Sequence, residues 1–198
     1  SITIVGSSGV GKSTLVNQIL GNDSMITSDI PGTTRDSVTF NFKWQNHDYT
    51  IIDTAGIRRK GKTTGIAEKF SVMQSLQALE HANVTVLVID ANEGITEQDL
   101  HLLGLTIDHG GSIVIAINKW DMLDQEGKEQ CKKGLDRRLT FAKFVEVCEI
   151  SALKGRGLKS LFLAVNKSYE SSVRQHKTKD ITNILLSAVS SHPAPMVR

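Results

Sequence analysis

Little in this 198-residue sequence could staple a fold from outside its core. It has only two cysteines, Cys131 and Cys148, and neither has metal-ligand spacing. Its six histidines form no HxxxH or HxxE pattern, so no metal site stands out in the sequence. Three prolines are too few for a low-complexity or linker protein. Aromatic residues make up only 5%, so Trp44 and Trp120 read as packing residues rather than a base-stacking surface. Neither charge sign dominates: 23 Lys and Arg against 21 Asp and Glu leave +2, too little by itself to imply a nucleic-acid partner. No apolar run approaches the ~20 residues of a membrane span. The N-terminus, Ser1-Ile-Thr-Ile-Val-Gly6, lacks the basic and apolar regions of a signal peptide. A cytoplasmic protein with reduced thiols and no membrane contact is the expectation.

Hydrophobic residues at 39% and charged residues at 22% are ordinary for a globular domain. A chain of this length buries about 70% of its unfolded surface, enough for one core with an appendage. Strands alternate with helices along it. Apolar, β-branched runs mark strands at 2–5, 84–89, 113–117 and 144–150, and the runs at 84 and 113 read as buried on both faces. Residues 37–44 alternate, with Val38, Phe40, Phe42 and Trp44 on one side. A turn over 45–48 leads to a strand at 49–52. Helices are expected over 12–20, 66–81, 96–108, 122–139 and 158–169. The reading is α/β: a mostly parallel six-stranded sheet with helices on both faces, joined by right-handed crossovers. Residues 171–180 read as a polar linker and 181–189 as one more short helix.

The chemistry sits in the loops that follow the strands. Gly6-Ser-Ser-Gly-Val-Gly11-Lys12-Ser13 matches GxxxxGK[ST] between a strand and a helix, the signature of a P-loop NTPase. Its glycines let backbone N–H groups turn towards phosphate oxygens, and the helix N-terminus adds its dipole. Lys12 would neutralise phosphate charge and Ser13 would bind Mg²⁺. Gly6, Ser8, Gly9, Val10, Gly11 and Thr14 complete the phosphate cradle. DxxG occurs four times, at Asp29, Asp53, Asp108 and Asp124, but only Asp53-Thr-Ala-Gly56 follows a strand. There the carboxylate can hold a Mg²⁺ water and the Gly56 N–H can reach the γ-phosphate.

Asn118-Lys119-Trp120-Asp121 ends a buried strand. A carboxylate at Asp121 can accept from both the ring N–H and the exocyclic amino group of guanine. Adenine offers no such donor pair, which argues against an ATPase or kinase. Ser151-Ala152-Leu153 follows the next strand, where its N–H groups could meet the guanine carbonyl.

These elements occur in the order found in translation-factor-class GTPases. Pro31-Gly-Thr-Thr-Arg-Asp36, Asp53-Thr-Ala-Gly-Ile-Arg-Arg-Lys-Gly-Lys62, Asn118-Lys-Trp-Asp121 and Glu68-Lys-Phe-Ser-Val, with Asn83 to Asp90 and Gly94, resemble the bacterial Der (EngA) GTPase family. The match is to the second of its two tandem GTPase domains. The resemblance implies a GTPase domain over 1–175, with 176–198 as a linker and the first helix of a truncated KH-like domain. It further implies GTP hydrolysis to GDP with Mg²⁺ and a switch in assembly of the large ribosomal subunit, with the 50S subunit or its precursor (rRNA) as partner through the full-length protein. By motif match Thr34 would be a switch ligand of Mg²⁺, with Thr33 as the alternative. Lys12, Thr34 and Gly56 would then serve catalysis, and Ser13, Thr34 and Asp53 would hold the metal.

Two residues depart from expectation. Ile57 stands where Ras-like proteins carry a water-orienting Gln, and it offers no hydrogen bond. Gly9 stands where related families carry an Asn that ligates an activating K⁺. A nucleotide-gated ribosome-binding module with negligible intrinsic hydrolysis is therefore the second reading. The basic run Arg58-Arg-Lys-Gly-Lys62 is either an RNA contact or a solvated loop.

Overall fold

The computed structural model describes residues 1–21, 26–28, 38–53 and 82–191. In it seven strands form one sheet. The strands are β1 (Ile2–Val5), β2 (Ile26–Ser28), β3 (Val38–Trp44), β4 (His47–Asp53), β5 (Val84–Asp90), β6 (Ser112–Asn118) and β7 (Glu146–Glu149). Their order is β2-β3-β4-β1-β5-β6-β7. The pairs β2/β3 and β3/β4 are antiparallel, and β1 pairs parallel with β4 and β5, β5 with β6, and β6 with β7. All six expected strands are present. The seventh, β2, lies inside a stretch that reads as a polar loop, and pairing with Asn41, Phe42 and Lys43 defines it.

Five helices are described: α1 (Lys12–Leu20), α2 (Glu97–Asp108), α3 (Gln125–Arg138), α4 (Leu158–Val173) and α5 (Thr178–Ser191). The helix expected over 66–81 lies outside the described residues.

Strand alternation divides the core into two halves. Val84, Val86 and Val88 of β5 join Ile2, Ile4, Leu15, Ile19, Leu161 and Phe162 on the face covered by α1 and α4. Leu87 and Ile89 point the other way, to Leu102, Leu103, Leu135 and Leu139 of α2, α3 and the turn after α3. Helices on both faces follow, as a parallel sheet requires. Phe162 anchors the first half. Its ring lies 5.0 Å from Trp44, 5.2 Å from Tyr49 and 5.7 Å from Phe42. This is the packing role expected of Trp44. The Tyr49 hydroxyl donates to Asn166 Oδ1 at 2.7 Å, so the ring is buried without stranding its polar tip.

The β3–β4 turn is tighter than the four residues expected. Trp44 pairs with His47, and Gln45 and Asn46 both take positive φ, 45° and 65°. Two such residues make the primed turn whose twist matches the strands.

Helix α3 begins later than expected because Trp120–Met122 forms a separate 3₁₀ turn. Asp124 then caps α3, accepting from the Gly127 N–H at 2.8 Å. This occurrence of DxxG is thus a helix cap. We expect Asp124→Ala to cost about 1 kcal/mol of stability through loss of that bond, read as a lower urea midpoint at constant slope.

Candidate nucleotide site

The C-terminal ends of β1, β5, β6 and β7 share one edge of the sheet, and their loops converge there. The chain leaves β1 for the β2–β4 side, returns to β4 beside β1, and crosses to β5 on β1's other flank. Ligands of open α/β sheets bind at such a reversal.

The loop after β1 has a backbone that glycine alone fits. Gly6 has φ of 143°, and a Cβ there would meet the Val88 carbonyl oxygen at 2.3 Å. Gly11, at φ of 99°, occupies the N-cap of α1, and its Cβ would meet Asn118 Nδ2 at 2.3 Å. Lys12 Nζ donates to the Gly6 and Ser7 carbonyls at 2.8 and 2.6 Å, which folds the ammonium over the loop. Ser8, Gly9, Ser13 and Thr14 are exposed along the same turn, while Val10 is buried and fastens it to the core. A glycine-shaped loop, a helix N-terminus and a lysine over it form the donor set that a polyphosphate needs.

Asn118 ties three loops together. Its Nδ2 donates to the Val10 carbonyl at 2.8 Å, and its Oδ1 accepts from the Ala152 N–H at 2.9 Å. The side chain is 3% exposed, so both bonds are dry and register the P-loop, the β6 loop and the β7–α4 loop against one another.

Asp121 lies beside them with its carboxylate 15% exposed and paired with Lys154 Nζ at 2.9 Å. A hydrogen bond from Ser151, then the Lys154 ammonium, hold its pKa below the ordinary value. The group is thus an ionised acceptor at neutral pH. Ser151 exchanges backbone bonds with Arg156, closing the loop that presents Ala152 and the exposed Leu153.

Asp53 is the last residue of β4, and the strand ends at the same edge as the P-loop. Thr33, Thr34, Gly56, Ile57 and the basic run 58–62 lie outside the described residues.

Sequence reasoning missed two partners. Lys154 reaches Asp121 from the next loop, and nothing in its local sequence marks it. Asp90 pairs with Lys119 at 2.5 Å. It had a signal: it is the acid that closes an otherwise buried strand, at the edge where the other motifs end. Cys148 is buried, and burial pushes its thiol up to about 11, so it behaves as an apolar residue.

Comparison with known proteins agrees with this arrangement. The chain is 52% identical over 197 residues to GTPase Der of Citrobacter koseri, covering 100% of this chain and 40% of that protein. It is 51% identical, over the same shares, to GTPase Der of Salmonella typhi. The chain thus spans about two fifths of the length of these relatives. Among solved structures it resembles Era in complex with MgGDPNP and nucleotides 1506–1542 of 16S ribosomal RNA. That likeness has a TM-score of 0.64 and 30% identity, over 84% of this chain and 55% of the other. An Era variant of Aquifex aeolicus bound to GDP·AlF4⁻ matches with a TM-score of 0.63 and 28% identity, over 89% and 57%. The sequence pattern of the family described as "50S ribosome-binding GTPase" matches residues 1–119, more than half of the sequence. The chain belongs to that family of ribosome-binding GTPases.

Proposed function

We propose that this chain binds GTP and GDP, hydrolyses GTP to GDP with Mg²⁺, and acts as a nucleotide switch in assembly of the large ribosomal subunit. The carrying observation is the Asn118 side chain, hydrogen-bonded at both ends of its amide. It aligns the loop that fits phosphates with the loops that fit guanine, so one nucleotide can engage both.

In this reading Gly6, Ser8, Gly9, Val10, Gly11, Lys12, Ser13 and Thr14 take the phosphates. Asn118, Lys119, Asp121, Ser151, Ala152 and Leu153 take the base. Ser13, Thr34 and Asp53 would hold Mg²⁺. Their hydroxyl and carboxylate oxygens suit a hard cation, and Ser13 is exposed at the start of α1. Mg²⁺ supplies charge neutralisation on the phosphate oxygens. Lys12 adds a second positive charge, and the Gly56 N–H would complete the cradle on the γ-phosphate side. Residues 1–175 would form this GTPase unit, working in the cytoplasm, and 176–198 the start of a KH-like unit. The GTPase relatives and the Era complex with ribosomal RNA support a ribosomal partner.

A nucleotide-gated binding module is the second reading, and two residues favour it. Ile57 has no group to orient water. Gly9 has open space where a side chain would stand, at φ of 81°, so it brings no side-chain ligand for an activating K⁺. The deciding experiment is single-turnover GTP hydrolysis in Na⁺ and in K⁺, with and without ribosomal particles. We expect Mg²⁺-dependent GDP formation that rises with the particles. A rise in K⁺ alone would give the cation the missing role. Binding without hydrolysis under every condition would establish the module instead.

A further inference from the structure

We propose that Asp90 is a positioning residue for base recognition: it holds the Lys119 side chain, through a half-buried ion pair, where that residue meets the nucleotide. The inference deepens the function proposed above and rests on it.

Asp90 ends β5 and is 5% exposed. Its two carboxylate oxygens are divided between partners. Oδ1 accepts from the Asn92 N–H and from Asn92 Nδ2, each at 3.0 Å, and Oδ2 accepts from Lys119 Nζ at 2.5 Å. Burial opposes the charge, but the Lys119 and Asn92 donors outweigh it and keep the pKa below the ordinary value. A buried carboxylate this well supplied is a fixed anion, and Lys119 is its one charged partner among the described residues.

The backbone gives the pair something to do. Lys119 sits at φ of 62° and ψ of 26°, a left-handed conformation that costs a residue with a Cβ about 1–2 kcal/mol. Such a conformer persists only where its surroundings enforce it. Here the enforcement comes from both sides. The Ala91 N–H donates to the Asn118 carbonyl at 2.9 Å, and the Trp120 N–H donates to the Ile150 carbonyl at 3.1 Å. Asp90 and Ala91 therefore grip two successive residues of the β6 loop, one by its side chain and one by its backbone. Each of the three polar side chains of that loop then has an anchor outside it. Asn118 is tied to the P-loop, Asp121 to the β7–α4 loop, and Lys119 to the end of β5. The last anchor stands at the end of a strand whose loop carries none of the nucleotide-binding motifs.

The test is a double-mutant cycle on the full chain, read as the affinity and dissociation rate of a fluorescent GDP. Asp90→Asn keeps the size and removes the charge. It is expected to weaken GDP about tenfold, the scale of one hydrogen bond to a charged group. Lys119→Met is expected to weaken it at least as much. In the Lys119→Met background, Asp90→Asn should add less than about twofold, because its effect passes through the lysine. The loss should fall on KM for GTP far more than on kcat.

A folded Asp90→Asn protein that binds GDP as the wild type does would overturn the proposal. So would a full tenfold effect that persists without the lysine. If Asp90→Asn fails to fold, Asp90→Glu replaces it. That variant keeps the charge and shifts it by one methylene, and the same coupling criterion applies. A wild-type chain that binds no guanine nucleotide would overturn the underlying function as well. Intact wild-type binding with an indifferent Asp90 overturns this inference alone.

Discussion

Asp121→Asn will reverse the base preference of this chain. GDP should bind on the order of a thousandfold more weakly, and the xanthine nucleotide should become the better ligand. The carboxylate can accept from two N–H groups of guanine at once. An amide in its place keeps one acceptor and presents an NH₂ to the guanine amino group, setting donor against donor. Xanthine carries a carbonyl at that position and restores the pairing. The size of the effect comes from leaving a polar group of the bound base without a partner, which costs more than the lost bond contributes.

The fold gives the experiment a control. The partner of Asp121 is Lys154, whose side chain is 50% exposed and stays solvated when the pair is broken. A pair with so exposed a partner is screened by solvent and contributes little to stability. Asp121→Asn should therefore melt close to the wild type while its nucleotide preference inverts. Titration with GDP and XDP beside a thermal melt separates the two. Unchanged guanine selectivity in a folded variant would remove Asp121 from the base site.

These roles could be drawn from the sequence because the motifs carry their own geometry. A GxxxxGKS between a strand and a helix, and an NKxD at the end of an apolar run, specify both the loop and the strand end that bears it. The buried strands at 84 and 113 were equally plain, since six successive apolar or Thr positions at 84–89 and five apolar ones at 113–117, rich in β-branched residues, suit a strand covered on both faces. What the sequence hid was pairing at a distance. Ile26–Ser28 has no period of its own and becomes a strand only against β3. Gln45 is no turn former, yet it takes positive φ because the Trp44–His47 pair leaves two residues to reverse the chain. Asp90 and Lys119 are 29 residues apart and meet because β5 and β6 run parallel in register, Asp90 opposite Asn118. Tertiary contact supplied each of these, and local propensity supplied none.

Gly11→Ala tests the joint between the two halves of the site, and its effect should fall on phosphates and base together. The new methyl would lie 2.3 Å from Asn118 Nδ2, far inside contact distance. That nitrogen is the one that donates to the Val10 carbonyl. Relief requires Asn118 to swing away or the loop to shift. Either movement breaks a buried amide hydrogen bond, worth about 1–3 kcal/mol when a partner is left unsatisfied. The φ of 99° adds about 1–2 kcal/mol of backbone strain once a Cβ is present. The Asn118 amide also accepts from Ala152 N–H through its other end, so its movement disturbs the base loop as well. The strain lowers the stability of the fold, and the broken register predicts a loss of about ten- to a hundredfold in GDP affinity. Asn118→Ala relieves the clash without restoring the bond, so the double variant should recover part of the loss in fold stability and little of the affinity. Equal affinities for wild type and Gly11→Ala would mean that the P-loop and the base loop are not held in register by Asn118.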